Sequence, residues 1–415
     1  MSYIDFREAM KLKAYLLAEG LNIDKSIESN TNFNYKKFHL YDHSSETPSI
    51  IIPDDIIIFH DKEYSGKDII SRNRFNPNSK WLVKLINGKL VLENPDGKIN
   101  DISFPPRPLF DNLEVNNQPL EKLVTKLGTD LCGVILSNNC FYFGSKKECK
   151  FCEILPTYLD YKSYPTATKK TKHLIDALNK ALEADNTFEH IVITTGNVGS
   201  YDKTLELFIE VGKGIKETKD TKKIISTATL MPPNDFTYID KLKEAGFDNV
   251  YFDLEILDEN LFNIVVPGKA DYGYQRLIDA LKYATNIFGK GNVFSNLVYG
   301  IQTLPESLET LNIDFIKENQ KCLEAVDFLL NINVLPVFTV YHSSGRNEIG
   351  KIELEGSKLF EFFEEYGRRI YGSNLIPESR KSIIFSLGST SNTMYNDGFV
   401  LAALESQKNK LAVEV

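Results

Sequence analysis

Apolar and polar positions follow two different patterns along the chain, and the change comes near residue 130. Before it, a helical period over Phe6–Glu19 is followed by a polar stretch and then by short β-like runs at Ser49–Ile52, Asp55–His60 and Trp81–Leu92. After it, short apolar runs alternate with segments in which apolar residues recur every three or four positions. That alternation is typical of a parallel sheet wrapped by helices.

Six strands are predicted in this second part, separated by helical patterns. They are expected at Gly133–Leu136, His190–Thr194, Lys223–Ala228, Asn249–Ile256, Asn292–Val298 and Phe328–Val334. A helix is expected from Tyr272 to about Ile287, and another is expected to begin at Pro305. The repeats favour an α/β fold built on a partial or full β/α barrel of the TIM type.

The change of pattern also predicts how the chain is divided. An N-terminal accessory region that contains β structure is expected over residues 1–125, and the barrel over 126–345. A C-terminal α/β extension is expected over 346–415, with a β-like run at Ser382–Ser386 between two helices.

Composition narrows the class of protein. The chain has 415 residues, of which 42% are hydrophobic and 25% charged, which is typical of a globular protein. Its net charge of −9 argues against nucleic acid or an anionic membrane as a partner, because neither supplies a counter-charge to an acidic surface. The first residues lack the apolar core of a signal peptide, and no apolar run approaches the roughly 20 residues of a membrane helix. We therefore expect a cytoplasmic protein.

Three of the five cysteines form a motif directly after the first predicted barrel strand, Cys140-x8-Cys149-x2-Cys152. Active sites of β/α barrels form on the loops that follow the strands. Three thiolates there can bind three irons of a [4Fe–4S] cluster and leave the fourth iron open to a small molecule. A structural zinc site would need a fourth Cys or His ligand, and neither Cys132 nor Cys322 has a suitable position.

Polar residues also follow later strands. Thr195, Gly196 and Asn197 come directly after the second strand, where a simple turn is an alternative interpretation. On the fourth strand, Asp253 and Glu255 alternate with apolar residues and therefore share one face. Two carboxylates fixed at a strand end suit the hydroxyls of a ribose, although outward, solvated acids would give the same pattern.

The cysteine motif, with Phe151 between its last two cysteines, resembles that of the radical S-adenosylmethionine superfamily, although the usual spacing is C-x3-C-x2-C. Ala228-Thr229-Leu230 and Tyr274-Gln275-Arg276-Leu277 resemble segments of biotin synthase and of its [FeFe]-hydrogenase maturase relatives. The resemblance covers about residues 130–345.

This resemblance implies specific roles for the residues at the strand ends. Cys140, Cys149 and Cys152 would hold the [4Fe–4S] cluster. Thr195, Gly196 and Asn197 would receive the amino group of S-adenosylmethionine. Arg276 would pair with its carboxylate, although a surface arginine in the first turn of a helix is an alternative interpretation. The remaining contacts implied are to the ribose, from Asp253 and Glu255, and to adenine, from Phe151 and from Pro336 on the sixth strand.

The resemblance also implies a function. The cluster would cleave S-adenosylmethionine reductively to a 5′-deoxyadenosyl radical, which would abstract hydrogen from a small organic substrate. A reductant such as flavodoxin or ferredoxin would supply the electron. Tyr299, Thr339, Tyr341 and His342 are candidates to face the substrate. The alternatives are a non-enzymatic iron–sulfur or zinc-binding protein and a zinc-dependent barrel enzyme.

Overall fold

The computed structural model describes residues 5–28, 53–60, 68–161, 165–308, 311–376 and 391–413. The predicted β-like runs at Ser49–Ile52 and Ser382–Ser386 lie outside the described residues. No helix in the described part of the chain is both long and apolar enough to cross a membrane.

The N-terminal part begins with the predicted helix, α1, at Phe6–Glu19. The Asp5 side chain accepts a hydrogen bond from the Glu8 N–H, and the helix ends at Gly20, whose φ is 71°. A second, short helix, α2, spans Lys25–Glu28. The strands of this part are β1 (Asn22–Ile23), β2 (Asp55–His60), β3 (Asp68–Arg72), β4 (Leu82–Ile86), β5 (Lys89–Glu93), β6 (Ile99–Asp101), β7 (Glu114–Val115) and β8 (Gln118–Pro119).

These strands form a four-stranded sheet in the order β1-β4-β5-β6 and two antiparallel pairs, β2-β3 and β7-β8. The predicted run Trp81–Leu92 is a hairpin. Its turn residues Asn87 and Gly88 have φ values of 51° and 76°, as a two-residue hairpin turn that matches the strand twist requires.

The central sheet has seven strands in the order β15-β14-β13-β12-β11-β10-β9. Its members are β9 (Thr125–Leu127), β10 (Leu131–Ile135), β11 (His190–Thr194), β12 (Ile225–Thr229), β13 (Asn249–Tyr251), β14 (Val293–Tyr299) and β15 (Leu335–Val340). Strands β10 to β15 are parallel and follow chain order, whereas β9 pairs antiparallel with β10. No pairing joins β15 to β9 among the described residues. The predicted α/β class is confirmed, and the barrel is a curled, open half barrel.

Eleven further helices follow β8 in the described residues. They are α3 (Phe141–Ser145), α4 (Ile154–Tyr161), α5 (Thr171–Ala184), α6 (Tyr201–Lys222), α7 (Tyr238–Glu244), α8 (Glu259–Val265), α9 (Pro267–Tyr272), α10 (Tyr274–Phe288), α11 (Phe315–Asn331), α12 (Gly356–Gly372) and α13 (Tyr395–Val413).

Two predicted elements lie elsewhere in the structure. The helix expected at Pro305 begins at Phe315, because the Asp314 side chain accepts hydrogen bonds from the first N–H groups of α11. The strand expected at Phe328–Val334 is β15, and Phe328 belongs to α11. The apolar run of α11 continues directly into β15, so hydrophobicity alone does not mark the boundary. The chain turns at Asn333, whose φ is 60°.

Residues from both ends of the chain cover the open edge at β15. The Arg74 guanidinium donates to the carbonyls of Val340 and Tyr341, and the Val340 N–H donates to the Asn392 carbonyl at 3.4 Å. Helix α12 packs against both α1 and α13, and the Lys13 ammonium of α1 lies 2.7 Å from the Asp397 carboxylate of α13. The edge is thereby protected from pairing with another chain.

Candidate active site

The cysteine motif lies on the loop that follows β10, at the carboxyl end of the parallel strands. Cys140 is the residue that precedes α3, and the Cys152 N–H donates to the Cys149 carbonyl at 2.8 Å in a tight turn before α4. All three thiols are free of disulfides. Cys140 interacts electrostatically with both Cys149 and Cys152, so the three thiols lie near one another.

Burial governs the protonation of these thiols. It raises the pKa of Cys140 and of Cys149, and it raises the pKa of Cys152 to about 12. A neighbouring Cys and the Glu255 carboxylate add to the effect at Cys152. Since a metal binds the thiolate, loading this site would release protons.

The turn after β11 packs directly against the start of the cysteine loop. The Asn197 carbonyl accepts from the Phe141 N–H at 3.0 Å, and the Asn197 amide lies 3.7 Å from the Cys140 sulfur. A Cβ atom on Gly196 would lie 2.5 Å from the Asn139 carbonyl oxygen. Two of the three predicted turn residues therefore contact the cysteine loop, and the Thr195 hydroxyl donates to the Gly196 carbonyl at 2.6 Å. A side chain larger than hydrogen has no room at Gly196.

The two acids after β13 also lie in this site. The regular strand ends at Tyr251, but the chain rejoins β14 through a bridge between Glu255 and Leu297. Asp253 Oδ1 accepts from the Asn296 N–H at 3.1 Å. Glu255, which is 7% exposed, accepts from the Lys269 ammonium at 2.8 Å and from the Asn296 amide at 3.4 Å. The predicted acids thus face inward, and the solvated alternative does not describe them.

Three acidic groups, Glu255, Asp253 and Cys149, surround the one ammonium of Lys269. Burial raises the pKa of Asp253 to about 7, with the Glu255 carboxylate adding to the rise. Burial acts to lower the pKa of Lys269, but Glu255, Cys149 and Asp253 outweigh it, so the pKa is raised. The ammonium is therefore charged and connects the acids electrostatically to the cysteine loop.

Sequence reasoning missed Lys269. It lies on α9, which packs on the cysteine loop: the Gly268 N–H donates to the Lys147 carbonyl at 3.0 Å, and a Cβ on Gly268 would lie 2.4 Å from the Tyr142 ring. The sequence signal for this helix is Pro267, which suits the first turn of a helix and lies two residues before Lys269.

Asn296 and Thr339 complete the polar face of the sheet. The Thr339 hydroxyl donates to Asn296 Oδ1 at 2.8 Å, and Asn296 in turn contacts both acids. Thr339 was predicted to face the substrate, and its side chain lies on the same face as Glu255. Tyr299 faces the opposite side, where its ring stacks on Phe362 and is fully buried.

Arg276 lies away from these acids. Its side chain is exposed, its guanidinium donates to the Asn234 carbonyl, and it lies over the rings of Phe236 and Tyr272. The intervening α9 brings Lys269, and not Arg276, to Glu255. The carboxylate contact predicted for Arg276 has no counterpart in these contacts.

The two residues predicted to contact adenine differ in position. Phe151 is partly buried on the cysteine loop, with its carbonyl accepting from the Asn347 amide at 3.3 Å. Pro336 is the second residue of β15 and its carbonyl accepts from the Tyr366 hydroxyl at 2.7 Å, so it lies near the amino end of the strand. The proline is tolerated because β15 is an edge strand of the sheet.

Glu153, which directly follows Cys152, joins the cysteine loop to the loop after β15. Its carboxylate accepts from the hydroxyl and N–H of Ser344, the hydroxyl of Ser343 and the amide of Asn347, at 2.5 to 3.2 Å. It is 7% exposed. An acid next to a cysteine motif gave no sequence signal of this role, because its partners lie about 190 residues later in the chain.

The donor set suits an iron–sulfur cluster. Among the described residues, no three His, Cys, Asp or Glu side chains converge around a single metal position. A cubane cluster does not require that convergence, because each thiolate binds a different iron. Three free thiols on one loop, with no carboxylate among them, are soft ligands of the kind such clusters use.

Comparison with known proteins supports the same class. Residues 134–312 match the family model described as the radical SAM superfamily. The chain is 22% identical over 240 residues to the bacteriochlorophyllide c C-7(1)-hydroxylase of Chlorobaculum limnaeum, a match that covers 54% of this chain and 56% of the hydroxylase. The chain thus spans about half the length of this relative.

Two solved structures are also similar. Methylornithine synthase (PylB) has a TM-score of 0.44 and 13% identity, covering 66% of this chain and 71% of its own. HydG, a maturase of the [FeFe]-hydrogenase, has a TM-score of 0.40 and 15% identity, covering 57% of this chain and 48% of its own. Residues 134–312 therefore correspond to a radical SAM superfamily domain, and together with the similarity to a hydroxylase this match indicates an enzyme.

Proposed function

We propose that this enzyme cleaves S-adenosylmethionine reductively and uses the product to abstract hydrogen from a small organic substrate. The observation that carries the proposal is the proximity of the three thiols, of which Cys140 is buried and the other two are half-buried, to the Glu255–Lys269 pair at the carboxyl ends of the strands. When bound, a reduced [4Fe–4S] cluster supplies the electron that converts S-adenosylmethionine to methionine and a 5′-deoxyadenosyl radical. We propose flavodoxin or ferredoxin as the class of reductant, and the cytoplasm as the location of the enzyme.

Cys140, Cys149 and Cys152 are the proposed cluster ligands. Asn197 would orient the Cys140 sulfur through its amide, which lies 3.7 Å away. Gly196 allows the turn to approach the loop backbone. The carbonyls of Thr195, Gly196 and Asn197 would accept hydrogen bonds from an ammonium group, those of Gly196 and Asn197 through a second lone pair because each already accepts one bond.

The polar face of β13 and β14 is the proposed site for the rest of S-adenosylmethionine. Glu255 and Asp253 would accept hydrogen bonds from the ribose hydroxyls, and Phe151 would cover adenine. Lys269, the buried cation beside Glu255, is a better candidate than Arg276 for a carboxylate contact, because the Arg276 side chain is exposed and bonded elsewhere.

The test is anaerobic reconstitution with iron and sulfide, followed by dithionite and S-adenosylmethionine, with 5′-deoxyadenosine measured by mass spectrometry. We expect Cys140→Ala, Cys149→Ala and Cys152→Ala each to lose the cluster absorbance and the product. Cys132→Ala and Cys322→Ala are matched controls, because both thiols are fully buried in β10 and α11 and should leave the iron content unchanged.

Two results would contradict the proposal. One is a protein that takes up zinc and no iron under these conditions. The other is a fully loaded cluster that yields no cleavage product of S-adenosylmethionine with or without candidate substrates.

A further inference from the structure

A cavity lies beside the cysteine loop, at the carboxyl end of β15. Its volume is about 540 Å³, within the range of small-molecule sites. Two parts of the chain form it: the N-terminal segments 18–20 and 74–80, and the loop 342–354 after β15. Its walls include Glu19, Arg74, Lys80, His342, Ser343 and Ser344.

One carboxylate connects this cavity to the cysteine loop. Ser343 and Ser344 of the cavity wall both donate to Glu153, the residue after Cys152, at 3.2 and 2.5 Å. The wall is therefore held in a fixed position relative to the proposed cluster ligands. A molecule in the cavity would lie on the side of the sheet where β/α barrels perform their chemistry.

The cavity contains a buried cation without a counter-charge. Arg74 is 4% exposed, and its guanidinium donates only to carbonyl oxygens, those of Leu17, Val340 and Tyr341. Its Nε has no hydrogen-bond partner, and no carboxylate of the described residues forms an ion pair with it. By contrast, Arg72, two residues earlier, pairs with both Asp54 and Asp55.

This difference has an energetic consequence. Removing a charge from water is costly unless an opposite charge and hydrogen bonds compensate for it. Carbonyl dipoles compensate Arg74 only in part, and burial lowers the pKa of this arginine to about 9. An anionic group in the cavity would supply the charge that the fold does not, and a guanidinium is well suited to bind carboxylate or phosphate.

We propose that this cavity is the substrate site of the radical enzyme and that it takes a small molecule with a carboxylate or phosphate group, which pairs with Arg74. The assignment rests on the proposed function, because it is the cysteine loop that gives the cavity its catalytic neighbour. Ser343, Ser344 and His342 would contact the polar remainder of the molecule, and Lys80 at the rim would attract its charge.

The test is calorimetric titration of the reconstituted protein with succinate and, separately, with inorganic phosphate. We expect saturable binding of at least one of the two, and the tighter one identifies the anionic group. Arg74→Gln should weaken that binding at least tenfold. Because Arg74 also caps β15 and its loss can unfold the protein, Lys80→Glu is the second variant. Its side chain is exposed, and charge reversal there should weaken binding about threefold.

Arg107→Gln is the matched control, because Arg107 is an exposed arginine paired with Asp111 and does not line this cavity. Binding that is equal in the parent protein, Arg74→Gln and Lys80→Glu overturns the assignment, as does the absence of binding by either anion. The proposed function fails separately. If the parent protein cleaves S-adenosylmethionine but binds no anion, only the assignment of the cavity as the substrate site is refuted. If it binds the anion through Arg74 but does not cleave S-adenosylmethionine, only the proposed radical reaction is refuted.

Discussion

Two buried lysine–carboxylate pairs in this enzyme have nearly the same geometry and opposite surroundings. Lys13 and Asp397 join α1 to α13 at 2.7 Å, and Lys269 and Glu255 meet beside the cysteine loop at 2.8 Å. In the first pair one ammonium meets one carboxylate among packed helices. Burial raises the pKa of Asp397, and Lys13 opposes the rise.

The second pair is not balanced. Lys269 also interacts with Asp253 and Cys149, so three acidic groups share the one cation. Such a cluster of buried ionisable groups lowers the stability of the fold, and clusters of this kind are common at functional sites. The distance between the ammonium nitrogen and the carboxylate oxygen of a buried pair therefore does not reveal the role of that pair. Its role follows from the charges and hydrogen-bond donors that surround it.

The largest expected effect concerns the helix pair. Lys13→Met leaves the Asp397 carboxylate buried without its partner and should lower the free energy of unfolding by about 3–5 kcal/mol. Lys13→Met/Asp397→Leu removes both charges and should recover most of that loss. The thermal unfolding midpoint of the two variants checks this, and equal midpoints would mean that the pair is not what joins the helices.

Lys269→Met should act mainly on ligand binding. We expect the dissociation constant for S-adenosylmethionine to rise about 10- to 100-fold, or about 1.4–2.7 kcal/mol, because Glu255 keeps the Asn296 amide but the cation is lost. Calorimetric titration of the reconstituted protein measures it. Lys150→Met, on the cysteine loop, is the control, since its pair with the exposed Glu348 is worth little. If Lys269→Met lowers the free energy of unfolding more than Lys13→Met does, the role of Lys269 is structural, like that of Lys13.

Gly196→Ala tests how tightly the second strand end holds the cysteine loop. The new methyl group would meet the Asn139 carbonyl at 2.5 Å, and we expect a loss of about 1–3 kcal/mol in stability together with lower iron content. Gly144→Ala is the matched change within α3, where a Cβ meets no atom within 4 Å. It should be neutral or slightly stabilising. Equal iron content in the two variants would contradict the close packing.

The smallest expected effect is a pH dependence at Asp253. Its pKa of about 7 in the folded protein lies above the ordinary 3.8, so the folded state holds this proton more tightly. The resulting contribution to stability is complete below about pH 4 and is lost as the pH rises to 7. In the metal-free proteins, the difference in the free energy of unfolding between Asp253→Asn and the parent should therefore change by up to about 2 kcal/mol in favour of the variant as the pH rises from 5 to 7.5. Urea unfolding at both pH values measures the difference, and parallel curves would show that Asp253 is ionised throughout.

Several features could be predicted from the sequence because they depend on local order in the chain. Helix α1 has the predicted bounds, since its apolar period and its Asp5 and Gly20 ends are all local signals. The cysteine loop, the turn at Gly196 and the acids after β13 follow strands whose order is the order of the sheet. In a parallel sheet built in sequence, residues after successive strands meet at one end, so their meeting needs no knowledge of packing.

Only the tertiary structure decided which cation lies beside Glu255, what covers the edge of β15 and where the cavity beside the cysteine loop lies. Lys269 and Arg276 are equally polar in sequence, and the corner at α9 alone turns one inward and the other to solvent. Arg74, Glu153 and Lys13 find partners about 190 to 380 residues away. Such contacts form only when the sheet has brought distant segments together, because no periodicity or spacing encodes a neighbour that packing supplies.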